Sequence, residues 1–328
     1  MCTLFFILLC LGRCNQEFCQ LLIKLFRIVF HHKVAGIAYG NLFCISNGGQ
    51  AFEMFVLVTI HIHLWAGEVY KFPKLKGCPH GFDENTNHFK FWKKVEQSFF
   101  AKFNGKGDYD SLSKLSKQIE FHRGFIPAFL GIQSKKKSSL YKQYVNHFFS
   151  SVFENIDKPV IVDSSKYPLR ALALYRHSDH EINFIYLQRN PVEVVNSFFQ
   201  KEIEQPSKNF LSANFYYFII NMMCRWVLKK IQGSKLSAYK PKVVVIKYNN
   251  LIANPIVELQ KIQSAFEIDL SKTILKIENN QPLHTGLLFE GNRIRLSETI
   301  TFNSGKKIYK RKFRDYFTAF FNSCWWRE

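Results

Sequence analysis

Two short apolar runs, each cut off by a polar cluster and then a proline, constrain this chain more than any other feature. Val160-Ile161-Val162 ends on Asp163-Ser164-Ser165-Lys166 and is followed by Pro168; Ile182 to Leu187 ends on Gln188-Arg189-Asn190 and is followed by Pro191. Runs this short, bounded by turn residues, predict buried strands. Proline is tolerated at the first helical position, so each strand is expected to feed a helix, Pro168 to Arg176 and Pro191 to about Ile203. Lys242 to Tyr248 reads as a third strand, Asn254-Pro255 as the start of a helix to Phe266, and Ser212 to Ile231 as a long helix. Strands separated by helices predict an α/β fold with parallel pairing and helices on both faces.

In such sheets ligands bind at the carboxyl ends of the strands. The residues there are Asp163 to Lys166 and Gln188 to Pro191. A helix start offers unpaired N–H groups and partial positive charge to an anion. Arg189 adds a fork for phosphate oxygens and Lys166 a mobile point charge. Ser197, eight residues beyond Arg189, is placed to donate a hydroxyl to the same phosphate. A plainer reading pairs Arg189 with Glu193 at the surface and turns Ser197 to solvent. The formal charge of +20 suits a polyanion or a phosphate-rich cofactor, or simply an evenly basic surface.

V-D-S-S-K-Y-P (Val162 to Pro168) together with I-Y-L-Q-R-N-P-V-E-V-V-N-S (Ile185 to Ser197) resembles the nucleotide-binding core of sulfotransferases that use 3′-phosphoadenosine 5′-phosphosulfate (PAPS). The resemblance is closest in flavour to the tyrosylprotein and carbohydrate types. It implies a P-loop-NTPase-like central parallel sheet flanked by helices, with Arg189 and Ser197 on the 3′-phosphate. Val245 to Pro255 is similar to the family's strand, loop and helix. Gly291-Asn292-Arg293-Ile294-Arg295 is similar to a G-N-x-x-R element that closes over the nucleotide, which assigns Gly291, Asn292, Arg293 and Arg295 to the donor. Leu64 to Tyr70 looks like an L-G-E segment whose Glu deprotonates the acceptor, making Glu68 the candidate base, with a surface carboxylate as the plainer reading. Cys78, His80, Gly81, Phe91 and Trp92 are similar to a loop of the same relatives.

The implied reaction moves a sulfuryl group from PAPS to a hydroxyl or amine acceptor on a carbohydrate, a protein tyrosine or a small alcohol, without a metal. Its needs parallel phosphoryl transfer, namely in-line placement and neutralised leaving-group charge, for which Lys166 is the candidate. One departure stands out. The loop that holds the 5′-phosphosulfate, usually close to G-x-x-[RK]-S-G-T-T, falls at Ser46 to Phe52, which reads S-N-G-G-Q-A-F. Gly48 and Gly49 remain to cradle a phosphate with backbone N–H groups, but the cation and the hydroxyl pair are gone. A non-catalytic relative that only binds PAPS or adenosine 3′,5′-bisphosphate is the alternative.

The remaining stretches organise the chain into a hydrophobic, Cys-rich leader (1–34), the main domain (35–302) and a basic tail (303–328). The apolar run Leu4 to Leu11 is too short to span a bilayer, and Phe18 to Phe30 suits a basic amphipathic helix, so membrane association is expected through this end. The family resemblance favours a Golgi setting, with the cytoplasm as the other reading. Leu42 to Ser46 reads as a strand. Met54 to Trp65 has the length of a buried helix, with His63 packed on it. Phe72 to Trp92 reads as loop, Lys93 to Phe103 and Ser111 to His122 as short helices, and Lys135-Lys136-Lys137 as an exposed turn. The basic run Gly305 to Arg314 reads as a solvated tail or a charged helix face in preference to a dedicated polyanion site. Eight cysteines include no C-x-x-C pair, and no metal-ligand spacing occurs. The absence of G-x-x-x-x-G-K-[ST] counts against a P-loop kinase, and no motif specific to nucleic acid is present.

Overall fold

The computed structural model describes residues 63–103, 108–121, 124–157, 160–165, 167–197, 209–234, 240–290, 296–297, 299–302 and 313–322. The expected strand at Leu42 to Ser46 and both parts of the leader lie outside them. Where the apolar run Met54 to Trp65 enters the described residues it is extended, and His63–Gly67 forms β1. Only His63 to Trp65 of that run is described, and there the reading is corrected: these residues continue to Gly67 and pair with another strand instead of closing a helical turn, while the earlier part of the run lies outside the described residues.

Four helices follow. Thr86 caps α1 (Asn87–Lys102), its hydroxyl accepting from the Phe89 N–H at 3.2 Å. This helix starts inside the stretch expected to be loop. Asp108 caps α2 (Tyr109–Glu120), accepting from Asp110 and Ser111. A short α3 (Phe125–Leu130) stops at Gly131, in the left-handed region. Lys135-Lys136-Lys137 is not a turn but the first turn of α4 (Lys135–Glu154). Its cations are exposed because the apolar stripe begins only at Tyr141 and runs through Tyr144, Val145, Phe148, Phe149 and Val152.

Next come β2 (Val160–Asp163), α5 (Pro168–His177), β3 (Phe184–Gln188), α6 (Pro191–Ser197) and α7 (Phe210–Gln232). The chain continues through β4 (Val243–Lys247), α8 (Tyr248–Ala253), α9 (Pro255–Phe266), α10 (Ser271–Glu278), β5 (Leu283–His284), β6 (Thr299–Ile300) and α11 (Phe313–Phe321). Both proline-opened helices at Pro168 and Pro191 start where the sequence places them.

The described strands fall into three pairs. β1 and β2 are parallel, β3 and β4 are parallel from Phe184↔Val243 to Gln188↔Lys247, and β5 and β6 are antiparallel. The parallel pairing is as expected, although the described residues do not join the pairs into one sheet. The two larger buried clusters among the described residues flank them. The first gathers α1, α2 and α4 around Phe72, whose ring lies 4.9 Å from Phe148 and 5.4 Å from Phe289. The second packs α8, α9 and α10 on Leu187 and Ile246, with Val162 of β2 against it. The basic tail also holds a helix, α11, which docks on α7 through Phe218 and Phe321, 5.2 Å apart.

Candidate functional site

β1 ends on Gly67, where φ is +72° and the register against β2 shifts by a bulge. A side chain is excluded there twice over, because a Cβ would collide with the Glu290 carbonyl oxygen. That close approach lets the Leu287 to Glu290 segment run beside β1: Phe289 N–H donates to Ala66 O at 2.9 Å and Glu68 N–H to Glu290 O at 2.8 Å. On the other side Ser164 N–H donates to Gly67 O at 3.0 Å. Three segments therefore meet, at Glu68, at Asp163 to Ser165 and at Glu290.

Glu68 and Glu290 are both buried and share one ammonium. Lys71 Nζ lies 2.9 Å from Glu68 Oε2 and 3.3 Å from Glu290 Oε2. Burial pulls the Lys71 pKa down, but the two carboxylates outweigh it and hold the group above an ordinary lysine. The Tyr70 hydroxyl reaches Glu68 Oε2 at 3.5 Å, and His80 Nδ1 lies 3.6 Å from Glu290 Oε1. Glu68 is thus no loose surface carboxylate. It is held by Lys71 at a strand end, and a fixed carboxylate can take up an acceptor proton.

An ionic chain backs this cluster. Ser165 Oγ donates to Asp163 Oδ1 at 2.5 Å and accepts from the Tyr70 N–H at 3.3 Å, tying the end of β2 to the turn that carries Glu68. Arg170 of α5 holds Asp163 Oδ2 and also donates to Glu120 Oε1 at 2.5 Å, which the Tyr141 hydroxyl joins at 2.7 Å. Burial opposes the charge on Arg170, but Asp163 and Glu120 prevail and keep the guanidinium charged. Burial pushes Glu120 above the ordinary carboxylate range, against the pull of Arg170 and Tyr141. Tyr167 stacks on Phe121 at 4.0 Å and meets Tyr70 edge-on at 4.9 Å, an aromatic wall beside the cluster.

The second strand end follows from register. Gln188 pairs with Lys247, so Arg189 and Tyr248 leave adjacent strands side by side. The guanidinium lies 4.9 Å from the Tyr248 ring centre, and its Nε donates to Glu193 Oε2 at 3.3 Å. The Tyr217 hydroxyl donates to the Arg189 carbonyl at 3.0 Å, fixing the strand end on α7. Ser197, the last described residue of α6, is buried and donates its hydroxyl to Val194 O at 2.7 Å. The Arg189–Glu193 pair of the plainer reading is present, whereas a solvent-facing Ser197 is not.

Of the other residues singled out in the sequence, Lys166, Gly48, Gly49, Gly291, Asn292, Arg293 and Arg295 lie outside the described residues. Among the described residues no cluster of three or more His, Cys, Asp or Glu is placed to hold a metal ion. Sequence reasoning missed Lys71, Glu290, Tyr248 and the Glu120–Arg170–Asp163 chain. Two of these carried a signal: Glu290 immediately precedes Gly291, and Tyr248 sits in the strand-to-helix stretch Val245 to Pro255. The pairing of Glu120 with Arg170 carried none, being separated by fifty residues.

The family described as "Sulfotransferase domain" matches residues 95–324. Among solved structures, the sulfotransferase domain from the curacin biosynthetic pathway is similar at 16% identity with a TM-score of 0.35, covering 80% of this chain and 97% of that one. No curated protein matches the chain.

Proposed function

The chain belongs to the sulfotransferase family, and we propose that it moves a sulfuryl group from PAPS to a hydroxyl or amine acceptor on a carbohydrate, a protein tyrosine or a small alcohol. The observation that carries this reading is the placement of Arg189 at the carboxyl end of β3, directly before the helix that carries Ser197. In the reaction the bond from sulfur to the phosphate oxygen breaks, the bond from sulfur to the acceptor forms, and adenosine 3′,5′-bisphosphate leaves. PAPS supplies the activated sulfuryl group.

The protein's part divides between the two strand ends. Arg189, braced on Tyr248, binds the 3′-phosphate and fixes the nucleotide, with Ser197 beside it. Glu68, held by Lys71 next to Glu290, takes the acceptor proton. Lys166, three residues after Asp163, neutralises charge on the leaving phosphate oxygen. Gly291, Asn292, Arg293 and Arg295, which follow Glu290 in the sequence, cover the nucleotide. The same reading takes the two parallel pairs as parts of one central P-loop-like sheet, which is supported by Val162 packing against the Leu187–Ile246 core.

Titration calorimetry with adenosine 3′,5′-bisphosphate tests the site. Binding is expected, and Arg189→Ala should abolish it; unaltered affinity in that variant sinks the assignment. Transfer of labelled sulfate from PAPS to a panel of acceptors tests the activity. A second reading, a binding protein without transfer, is favoured by the S-N-G-G-Q-A-F loop, since loss of charge stabilisation at a leaving group costs ~10²–10³ in rate. Binding without transfer, with transfer restored on rebuilding R-S-G-T-T at Ser46 to Phe52, would decide for it.

A further inference from the structure

Ser197 can meet a phosphate only if α6 is turned to present it, and the orientation of so short a segment is set by what its faces touch. On one face Val194 and Val195 pack with Ala213 and Tyr217 of α7. Tyr217 also donates its hydroxyl to the Arg189 carbonyl, so α7 holds both the strand end and the helix that follows it. The next residue round the helix, Asn196, faces a different neighbour, the C-terminal helix α11.

α11 turns a polar stripe inward: Asp315, Thr318 and, just past its end, Asn322 are buried. Consecutive residues near its start take both ends of one amide. Asn196 Nδ2 donates to Asp315 Oδ1 at 2.8 Å, and Arg314 Nη2 donates to Asn196 Oδ1 at 2.9 Å. A carboxylate meets the donor end and a guanidinium the acceptor end, so a single orientation of the amide satisfies both. Burying a carboxylate such as Asp315 is costly unless it is hydrogen-bonded. An apolar side chain would dock α11 without that cost, but also without direction. The rest of the helix is seated on α7, Phe317 against Phe210 at 5.9 Å and Phe321 against Phe218 at 5.2 Å. α11 therefore bears on the same helix that holds Arg189.

We infer that Asp315, with Arg314, is a positioning residue for the nucleotide 3′-phosphate: through Asn196 it sets the rotation of α6, and with it Ser197. Glu193, the partner of Arg189, lies three residues before Asn196 and four before Ser197, on the same side of the helix. One rotation of α6 would therefore shift the phosphate's hydroxyl and the guanidinium's partner together. The inference rests on the reading of Arg189 and Ser197 as the 3′-phosphate site and adds the C-terminal helix to what that site requires.

Calorimetry on the full chain with adenosine 3′,5′-bisphosphate and with adenosine 5′-monophosphate tests it, because the ratio of the two affinities isolates the 3′-phosphate. A merely structural defect weakens both ligands alike and leaves the ratio where it was. In Asp315→Ala the ratio should fall about three- to tenfold, the worth of one hydrogen bond, with the monophosphate unchanged. Asp315→Asn keeps an oxygen for the Asn196 amide and should keep most of the ratio. Arg314 is exposed, so Arg314→Ala disturbs no buried group; it should lower the ratio about twofold, and it decides alone if Asp315→Ala does not fold. A ratio at the wild-type value in both alanine variants, or equal losses for the two nucleotides, overturns the inference. Arg189→Ala separates the two claims. If it abolishes the ratio while the α11 variants keep it, the inference alone fails; if it leaves the ratio intact, the site assignment fails and the inference with it.

Discussion

Arg170 grips Asp163 with two nitrogens, Nε at 2.9 Å and Nη2 at 2.8 Å, and neither side chain is exposed. Its third contact, to Glu120, makes one guanidinium the counter-ion of two buried carboxylates. Through Ser165 the same pair ties β2 to the turn that holds Glu68, so stability and site geometry share a residue.

Removing the guanidinium leaves two buried carboxylates without their counter-ion. Arg170→Ala is expected to lower the unfolding free energy by about 3–5 kcal/mol, read from denaturant titration at neutral pH. The deficit should depend on pH with a definite sign. Burial raises Glu120 above its unfolded value, and without Arg170 that push is opposed only by hydrogen bonds such as that from Tyr141. A carboxyl raised in the folded state binds its proton more tightly there, so the variant loses stability as pH rises through the carboxylate range toward neutrality. A deficit that does not change with pH would mean that the lost packing of the long side chain dominates.

At the second strand end a phosphate must share Arg189 with Glu193, four residues on and 3.3 Å away. Glu193→Gln should therefore tighten adenosine 3′,5′-bisphosphate about two- to fivefold, the modest gain expected from a partly exposed pair. Arg189→Lys should weaken it, because lysine has no fork and stacks poorly on Tyr248. Calorimetry reads both changes, and an unchanged affinity in Glu193→Gln would mean that the phosphate does not draw on this guanidinium.

The strand ends were legible because polar residues stop an apolar run abruptly there and proline marks where each helix begins. Pro168 and Pro191 open α5 and α6 as expected, and Arg189 stands at a strand end; Glu68 also follows a strand, although the run before it reads as a helix. What escaped depends on register and on distance along the chain. Tyr248 lies under Arg189 only because Gln188 pairs with Lys247, and Lys71 joins Glu68 to Glu290 only because Gly67 admits the Leu287 to Glu290 segment. The α4 helix was hidden by its own first turn, where three lysines in a row look like a loop although the apolar stripe beginning at Tyr141 extends the helix. The buried polar stripe of α11 was hidden in a similar way, since Asp315 and Asn322 look like solvent-facing residues until Asn196 and α7 are in place.

His177 offers a different acid response. It packs edge-on to Tyr141 at 5.5 Å, and its Nε2 is buried with no hydrogen-bond partner among the described residues. Burial, then Arg176 and Lys142, lower its pKa to about 4. A histidine depressed in the folded state binds its proton more readily when unfolded, so its contribution to stability is full above the ordinary histidine value. That contribution is lost as pH falls from there toward about 4. Melting temperatures measured across that window should fall less steeply in His177→Phe than in the wild type. Parallel slopes would place the acid sensitivity elsewhere.

The proposed base carries the sharpest prediction, because Lys71 makes Glu68 and Glu290 neighbours without making them equivalent. Glu68 lies 2.9 Å from the ammonium and Glu290 3.3 Å, and Glu290 has His80 as a second partner. If Glu68 takes the acceptor proton, Glu68→Gln should cost about 10²–10⁴ in kcat, the range of general-base catalysis, with KM for PAPS nearly unchanged. The limb of the kcat–pH profile that falls toward acid should disappear with it. Glu290→Gln keeps the carboxylate at 68 and its ammonium, so it should retain that limb and lose less rate. Lys71→Met strips the shared cation from both buried carboxylates and should lower stability as well as rate. An acid limb that survives in Glu68→Gln but vanishes in Glu290→Gln would transfer the base to Glu290, on the same ammonium but on the segment that leads into Gly291.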